Sequence, residues 1–206
     1  MIYATRDAAI MKSSRQDMDA PADRREAVAC GIVLVGFMGA GKTSVGRELS
    51  RRLGWPFVDL DDRVQAREKR SIAEIFRDWG EAEFRRAEHD ALAELLREVE
   101  SGPRVIAVGG GAFAQPENTS LLDACLATTV FLDASADELW RRCGDDATER
   151  PLRRDEQVFR QLYESRRPRY LRAQFHVDTA GKKVSQIATE IAHSLGLKQR
   201  SAGEEK

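Results

Sequence analysis

Gly31-Ile-Val-Leu-Val35-Gly36-Phe-Met-Gly39-Ala40-Gly41-Lys42-Thr43-Ser44 decides the fold of this chain. Four apolar residues in a row, Ile32 to Val35, read as a strand buried on both faces. The run stops at Gly36. From Gly36 to Thr43 the residues satisfy G-x-x-x-x-G-K-[ST], a loop whose backbone N–H groups can curl around phosphates. Val45, Leu49 and Leu53 then recur at a spacing of four, which predicts a helix over Thr43 to Leu53. Strand, glycine loop and helix in that order place a helix N-terminus, with its favourable dipole, where an anion would sit. Gly39, Ala40, Gly41, Lys42, Thr43 and Ser44 are the expected nucleotide contacts. The Lys42 ammonium can reach the β- and γ-phosphates, and the Thr43 hydroxyl can ligate Mg²⁺.

Working outward, a second strand over Trp55 to Leu60 ends in acids: Phe57-Val-Asp59-Leu-Asp61-Asp62. Strand alternation would put Asp59 and Asp61 on one side, at a carboxyl end of the sheet. One could hold a water of an Mg²⁺ shell, the expectation for Asp59, while the other, Asp61, meets an acceptor hydroxyl. Asp61 or Asp62 as a plain helix cap is the competing reading. A guanine-reading Asn-Lys-x-Asp motif cannot occur, because Asn118 is the one asparagine. The Asn-Thr-Ser sequon that it opens reads as chance.

Further along, Ser71 and Glu74 form a Ser-x-x-Glu capping box. Ala82 to Val99 is a long helix, and Arg104 to Val108 is a third strand closed by Gly109-Gly110-Gly111. Thr128 to Leu132 and Phe175 to Asp178 are two more strands. Ala136 to Cys143, Gln157 to Leu171 and Val184 to Leu195 are helices. Gly144 to Asp155 is charged and aperiodic, which predicts a mobile loop. Alternation of continuous apolar strands with helices implies a parallel sheet covered on both faces.

Composition sets the class. The chain has 206 residues, enough for a large core without staples. Its 33 Lys and Arg against 34 Asp and Glu leave a net charge of −1, which argues against bulk attraction to nucleic acid or an anionic membrane. The longest uncharged run, Ala27 to Gly41, is too short to span a bilayer. Cys30, Cys125 and Cys143 have neither a zinc nor a disulfide spacing, and fit reduced thiols in a cytoplasm. Residues 1–29 mix acids and bases without an apolar stripe and read as a flexible leader, with Met11 or Met18 as alternative starts. Residues 197–206 read as a flexible tail, which leaves 30–196 as one domain.

Seven blocks in one order carry a family resemblance. They are the glycine loop, Phe57 to Asp62, Ser71 to Phe76, Gly80 to Glu88, Val108 to Gly111, Arg150-Pro-Leu152 and Arg166-Arg-Pro-Arg-Tyr170. Together they resemble shikimate kinase over roughly Gly31 to Leu195. The resemblance implies a three-layer α/β/α P-loop kinase fold with a five-stranded parallel sheet and a mobile lid at about 144–155. It implies a cytoplasmic monomer that moves the γ-phosphoryl of ATP, with Mg²⁺, to the 3-hydroxyl of shikimate, with neither nucleic acid nor membrane as partner. Arg85 and Arg166 would clamp the substrate carboxylate, Gly109, Gly110 and Gly111 would present backbone to it, and Asp61 would take the hydroxyls. Lys42, Asp61 and the lid residue Arg150 would be catalytic. Arg142 and, less directly, Lys182 would flank the adenine.

The chemistry of the residue types agrees with that assignment. Guanidinium pairs bidentately with carboxylate and stays charged, and Glu88 lies one turn from Arg85 to hold it. Taken singly, Arg85 could be a surface helix arginine paired with Glu88. Two departures stand out: Arg153 where the family usually has an apolar lid residue, and Val184 where some relatives carry proline. Two other readings remain, a gluconate kinase-like enzyme with the same loop and a nucleic-acid-binding ATPase using the arginines between Arg150 and Arg172.

Overall fold

The computed structural model describes residues 30–145 and 155–200. Its centre is a five-stranded parallel sheet of order β2-β3-β1-β4-β5. The strands are β1 (Ile32–Val35), β2 (Phe57–Asp59), β3 (Val105–Ala107), β4 (Thr128–Asp133) and β5 (Phe175–Asp178). Register is set by Val33 opposite Ile106 on one side and Thr129 on the other. All four residues of β1 are fully buried, as are the three of β3, so both faces of the sheet are covered. Helices α1 (Lys42–Leu53), α2 (Leu60–Glu68), α3 (Ile72–Glu100), α4 (Pro116–Ala124), α5 (Ala136–Asp145), α6 (Glu156–Tyr170) and α7 (Val184–Ser194) supply the covering. Among the described residues no helix is long and apolar enough to cross a membrane.

The strand order places the site. The chain leaves β1 for β2 at one edge of the sheet, then leaves β3 and β4 toward the other edge. Ligands enter open α/β sheets where that direction changes, outside the carboxyl ends of the strands. The glycine loop leaves β1 there, and Gly109 to Gly111 leave β3 beside it.

Several elements differ from the sequence reading. The second strand is only three residues long, because Asp59 caps a helix that starts at Leu60. Asp61 therefore sits in the first turn of α2, and strand alternation is not what places it near Asp59. The capped helix at Ser71 and the helix from Ala82 are joined into α3, with a break at Gly80 (φ 82, ψ 177), a conformation that only glycine adopts readily. α4 was not expected. Asn118 and Thr119 are buried in it for their hydrogen bonds, which hides its apolar period. Asn118 Nδ2 donates to Ala112 O (3.1 Å), and its Oδ1 meets His89 Nδ1 (2.8 Å), so this sequon is interior.

Two of the three expected flexible segments also differ from the reading. Gly144 and Asp145 close α5 and Asp155 caps α6, so both ends of the expected lid belong to helices; residues 146–154 lie outside the described residues. The tail expected from Leu197 is packed as far as Arg200. Leu197 lies against the core, and the Arg200 N–H donates to Arg52 O (2.7 Å). The expected leader, 1–29, and the last six residues are likewise outside the described residues.

The capping box at Ser71 is complete. The Glu74 N–H donates to Ser71 Oγ (3.2 Å), and the Ser71 N–H donates to Glu74 Oε2 (2.8 Å). Ser71→Ala is expected to cost about 1 kcal/mol and to lower the melting temperature by about 2–4 °C. Thermal unfolding reads the shift, and an unchanged melting temperature would contradict the cap.

Candidate active site

The glycine loop is shaped from beneath. A Cβ on Gly39 (φ 78) would lie 2.8 Å from Cys143 Sγ and 2.9 Å from Leu139 O, both on α5. Neither strain nor space admits a side chain there. Gly41 is the N-cap of α1 and leaves the first turn of that helix without a side-chain cap. The first N–H groups of any helix point along its axis with no preceding turn to receive them, and carry the positive end of the dipole. Lys42 Nζ folds back onto Gly36 O (2.9 Å) and Phe37 O (3.0 Å). Phe37 is buried and meets Phe159 and Tyr163 of α6 edge-on, at 5.0 and 5.6 Å. The loop is thereby anchored to the helix that carries Arg166.

At the start of α1, the Thr43 hydroxyl donates to Asp59 Oδ2 (2.8 Å). The other oxygen, Asp59 Oδ1, accepts from the Asp61 N–H (3.1 Å). A hydroxyl and a carboxylate so joined suit a hard divalent ion that keeps its waters and takes its other ligands from phosphate. The donor set fits Mg²⁺.

Across the loop from β3 lies a second group. A Cβ on Gly109 would stand 2.9 Å from Asp61 Oδ1 and 3.1 Å from Glu88 Oε1. One on Gly111 would stand 2.7 Å from Arg85 Nη1. Both glycines are there because charged side chains from α2 and α3 lie against the backbone. Arg85 Nη1 donates to Glu88 Oε2 (2.8 Å) and Nη2 to Glu81 Oε1 (3.1 Å). Its guanidinium lies 5.1 Å from the Phe84 ring. That of Arg166 is 5.9 Å from the Phe37 ring. Burial works against the Arg85 charge, but the Glu88 and Glu81 carboxylates outweigh it and its pKa rises.

Glu88 is 1 % exposed. Burial pushes its carboxyl above the ordinary 4.5; Arg85 and Arg166 pull it down, and Asp61 adds to the rise. Four charged groups from three helices, Asp61, Arg85, Glu88 and Arg166, thus act on one another beside the glycine triplet. Glu88 appears in the sequence as the partner of Arg85. Its burial, which makes it the anchor of the group, depends on long-range packing that no local pattern reveals.

On the far side of the glycine loop, a cleft of about 370 Å³ is lined by Gly39, Gly41, Ser44, Arg142 and Lys182 among others. Arg142 is fixed in it. Nη1 and Nη2 donate to Thr179 Oγ1 (3.0 Å) and O (2.8 Å), and Nε donates to Glu138 (2.9 Å). Lys182 Nζ pairs with Glu190 (2.7 Å). Thr179 and Glu138 carry no sequence signal for this task. Arg150 lies outside the described residues.

A glycine loop at the switch of a parallel sheet, with a hydroxyl–carboxylate pair beside it, defines a P-loop kinase fold. The family described as shikimate kinase matches residues 38–196. A shikimate kinase of Caulobacter vibrioides is 44% identical over 162 residues, 77% of this chain and 78% of the relative. The crystal structure of shikimate kinase from Aquifex aeolicus is 39% identical with a TM-score of 0.71, over 81% of this chain and 96% of that one. Shikimate kinase from Acinetobacter baumannii in complex with shikimate is 34% identical with a TM-score of 0.73, over 80% and 92%. The chain belongs to the shikimate kinase family, and it is an enzyme of the kinase class.

Glu88 yields a pH prediction. An acid whose pKa is raised by folding binds its proton more tightly in the folded chain. Its stabilising contribution is therefore complete below 4.5 and is lost as pH rises through the folded value. Wild type should gain stability relative to Glu88→Gln as pH falls from neutral toward 4.5. Urea unfolding at a series of pH values measures the difference; a flat or reversed trend would contradict the raised pKa.

Proposed function

We propose that this chain transfers the γ-phosphoryl of ATP to the 3-hydroxyl of shikimate, giving shikimate 3-phosphate and ADP. The observation that carries the reading is the charged group at Gly109 to Gly111. Two arginines and a carboxylate that faces the glycine triplet stand one loop away from a phosphate cradle. Shikimate is a small carboxylate with three hydroxyls, and that pairing of groups is what it requires.

In this reading, the loop amides and Lys42 hold the triphosphate, and the cleft at Arg142 and Lys182 receives the adenine. Thr43 would hold Mg²⁺ directly and Asp59 through water; when bound, the ion screens the phosphate charges. Arg85 and Arg166 grip the substrate carboxylate bidentately. Asp61 accepts a hydrogen bond from the 3-hydroxyl and aims its oxygen at the γ-phosphorus. As that O–P bond forms, the bond to the β–γ bridging oxygen breaks, ADP departs, and the hydroxyl proton passes to Asp61. The transition state is loose, with charge on the transferring oxygens, so Lys42 and Arg150 act chiefly by positive charge. Segment 146–154 would close over both ligands and exclude water as a competing acceptor. Location in the cytoplasm and action as a monomer belong to the same proposal.

The direct test is ADP release from ATP and Mg²⁺, with shikimate, with gluconate and with neither. Release that depends on shikimate is expected; equal release in all three would contradict the reading.

Lys42→Ala should fold yet lose about two orders of magnitude or more in kcat, because positive charge at the γ-phosphate is gone. Near-normal turnover in the folded variant would contradict the assignment of the loop.

Arg85→Ala should weaken shikimate binding while leaving ATP binding nearly intact. Loss of one partner of a desolvated charge pair costs about 2–5 kcal/mol, or roughly 30-fold to several thousand-fold in affinity. Calorimetry with each ligand separately measures it. Equal damage to both affinities would contradict the clamp.

A further inference from the structure

The glycine triplet is held by a buried amide that the mechanism above leaves unused. Gly109 to Gly111 run straight into the single turn Ala112–Ala114. The Ala112 N–H donates back to Gly109 O (3.0 Å) and the Ala114 N–H to Gly111 O (3.1 Å), so triplet and turn form one piece. That piece meets Asn118 of α4, which is 1 % exposed.

Asn118 bridges two elements. Its Nδ2 donates to Ala112 O (3.1 Å), and its Oδ1 lies 2.8 Å from His89 Nδ1. A carbonyl only accepts, so the amide must turn its NH₂ toward Ala112. Its oxygen is then left for His89, and that imidazole must carry a hydrogen on Nδ1. Direction is thus fixed along the chain of contacts: His89 donates to Asn118, and Asn118 donates to Ala112. His89 follows the buried Glu88 and stands one turn beyond Arg85, on the same face of α3. Arg85 in turn lies so close to Gly111 that a Cβ there would stand 2.7 Å from its Nη1. The triplet and its turn therefore meet α3 at two places one helical turn apart, directly at Arg85 and through Asn118 at His89.

We propose that Asn118 is a positioning residue for the acceptor, its amide setting the distance between the glycine triplet and the face of α3 that carries Arg85. This rests on the reading of Arg85 as a partner of the substrate carboxylate, and adds what holds the backbone opposite it. A ligand gripped between a side chain and a backbone is bound well only if the gap has its width before the ligand arrives. Asparagine suits the task because one flat group both donates and accepts; leucine, of similar size, does neither. Without the bridge, a carbonyl and an imidazole lose their partner, and the turn is free to move toward other donors. The carboxylate lies away from the reacting hydroxyl, so the loss should act on binding of ground state and transition state alike.

Asn118→Leu is expected to raise the KM for shikimate about three- to tenfold, the range for a neutral hydrogen bond. The KM for ATP should stay unchanged, and kcat should change by less than about twofold. His89→Ala should raise the shikimate KM as well. In an Asn118→Leu background it should add less than about twofold, because its partner is gone. Val99→Ala is the control for lost stability. Val99 is buried beside Gly31, at the amino end of β1, so its truncation should lower the melting temperature and spare the shikimate KM.

Distinct outcomes overturn distinct claims. A raised shikimate KM in Arg85→Ala with an unaltered one in Asn118→Leu overturns this proposal alone. So does a His89→Ala effect that persists in full without Asn118, or damage to ATP affinity or kcat as large as that to shikimate affinity. A Val99→Ala effect on the shikimate KM equal to that of Asn118→Leu also overturns it. An unaltered KM in Arg85→Ala overturns the carboxylate clamp, and this proposal with it. Thr119 Oγ1 still holds the turn to α4 in the variant, through Phe113 O (3.3 Å) and Gln115 O (3.0 Å). If Asn118→Leu nonetheless does not fold, His89→Ala carries the test from the half-buried end of the bridge. A raised shikimate KM with an unchanged ATP KM is then expected, and an unaltered shikimate KM overturns the proposal.

Discussion

Everything at this site depends on how the chain turns from β1 into α1. Between Val35 and Lys42 it must reverse direction while aiming its amides at one point. It can do so only because Gly39 lies bare against Cys143 and Leu139 of α5. That close approach fixes the loop from below. Phe37, one wall of the loop, fixes it sideways by packing on Phe159 and Tyr163. From there the rest follows by geometry. Thr43 is brought to Asp59, Asp59 caps α2, and the cap puts Asp61 in the first turn of that helix beside Gly109. The glycine loop and the charged group at Gly109 to Gly111, proposed above as phosphate cradle and acceptor side, are thus built from one continuous set of contacts.

The acceptor side has its own logic. A buried carboxylate is costly unless paired, and Glu88 is paired with Arg85 while Arg166 also acts on it. Such an arrangement leaves cationic groups in a partly dry place with donors to spare, which is where an incoming carboxylate is bound most strongly. The glycines of the triplet serve space here. At Gly109 and Gly111 the nearest atoms belong to Asp61, Glu88 and Arg85, and a methyl group would displace the charges that define the site.

Much of this was legible in the sequence where function is encoded locally. The glycine loop, the Ser71 capping box and β5 were read within a residue or so, because each rests on near neighbours. The sheet and its five strands followed from apolar runs. What escaped was tertiary. Leu60 reads as the end of a strand until Asp59 is seen to cap a helix. α4 escaped because Asn118 and Thr119 occupy buried positions that a periodicity search reserves for apolar residues. The anchoring of Arg142 by Thr179 links residues 37 apart, and that of Gly110 by Tyr170 links residues 60 apart. No spacing rule reaches that far.

The central claim is that two ligands meet across the glycine triplet with the 3-hydroxyl of shikimate facing the γ-phosphate. Its most direct measurement is the position of the phosphate on the product. Phosphorus–proton NMR of the material formed from ATP, Mg²⁺ and shikimate should show coupling from phosphorus to the proton on carbon 3, in one product, with an equal amount of ADP. Coupling to a different ring proton, or ADP accompanied only by inorganic phosphate, would contradict the account.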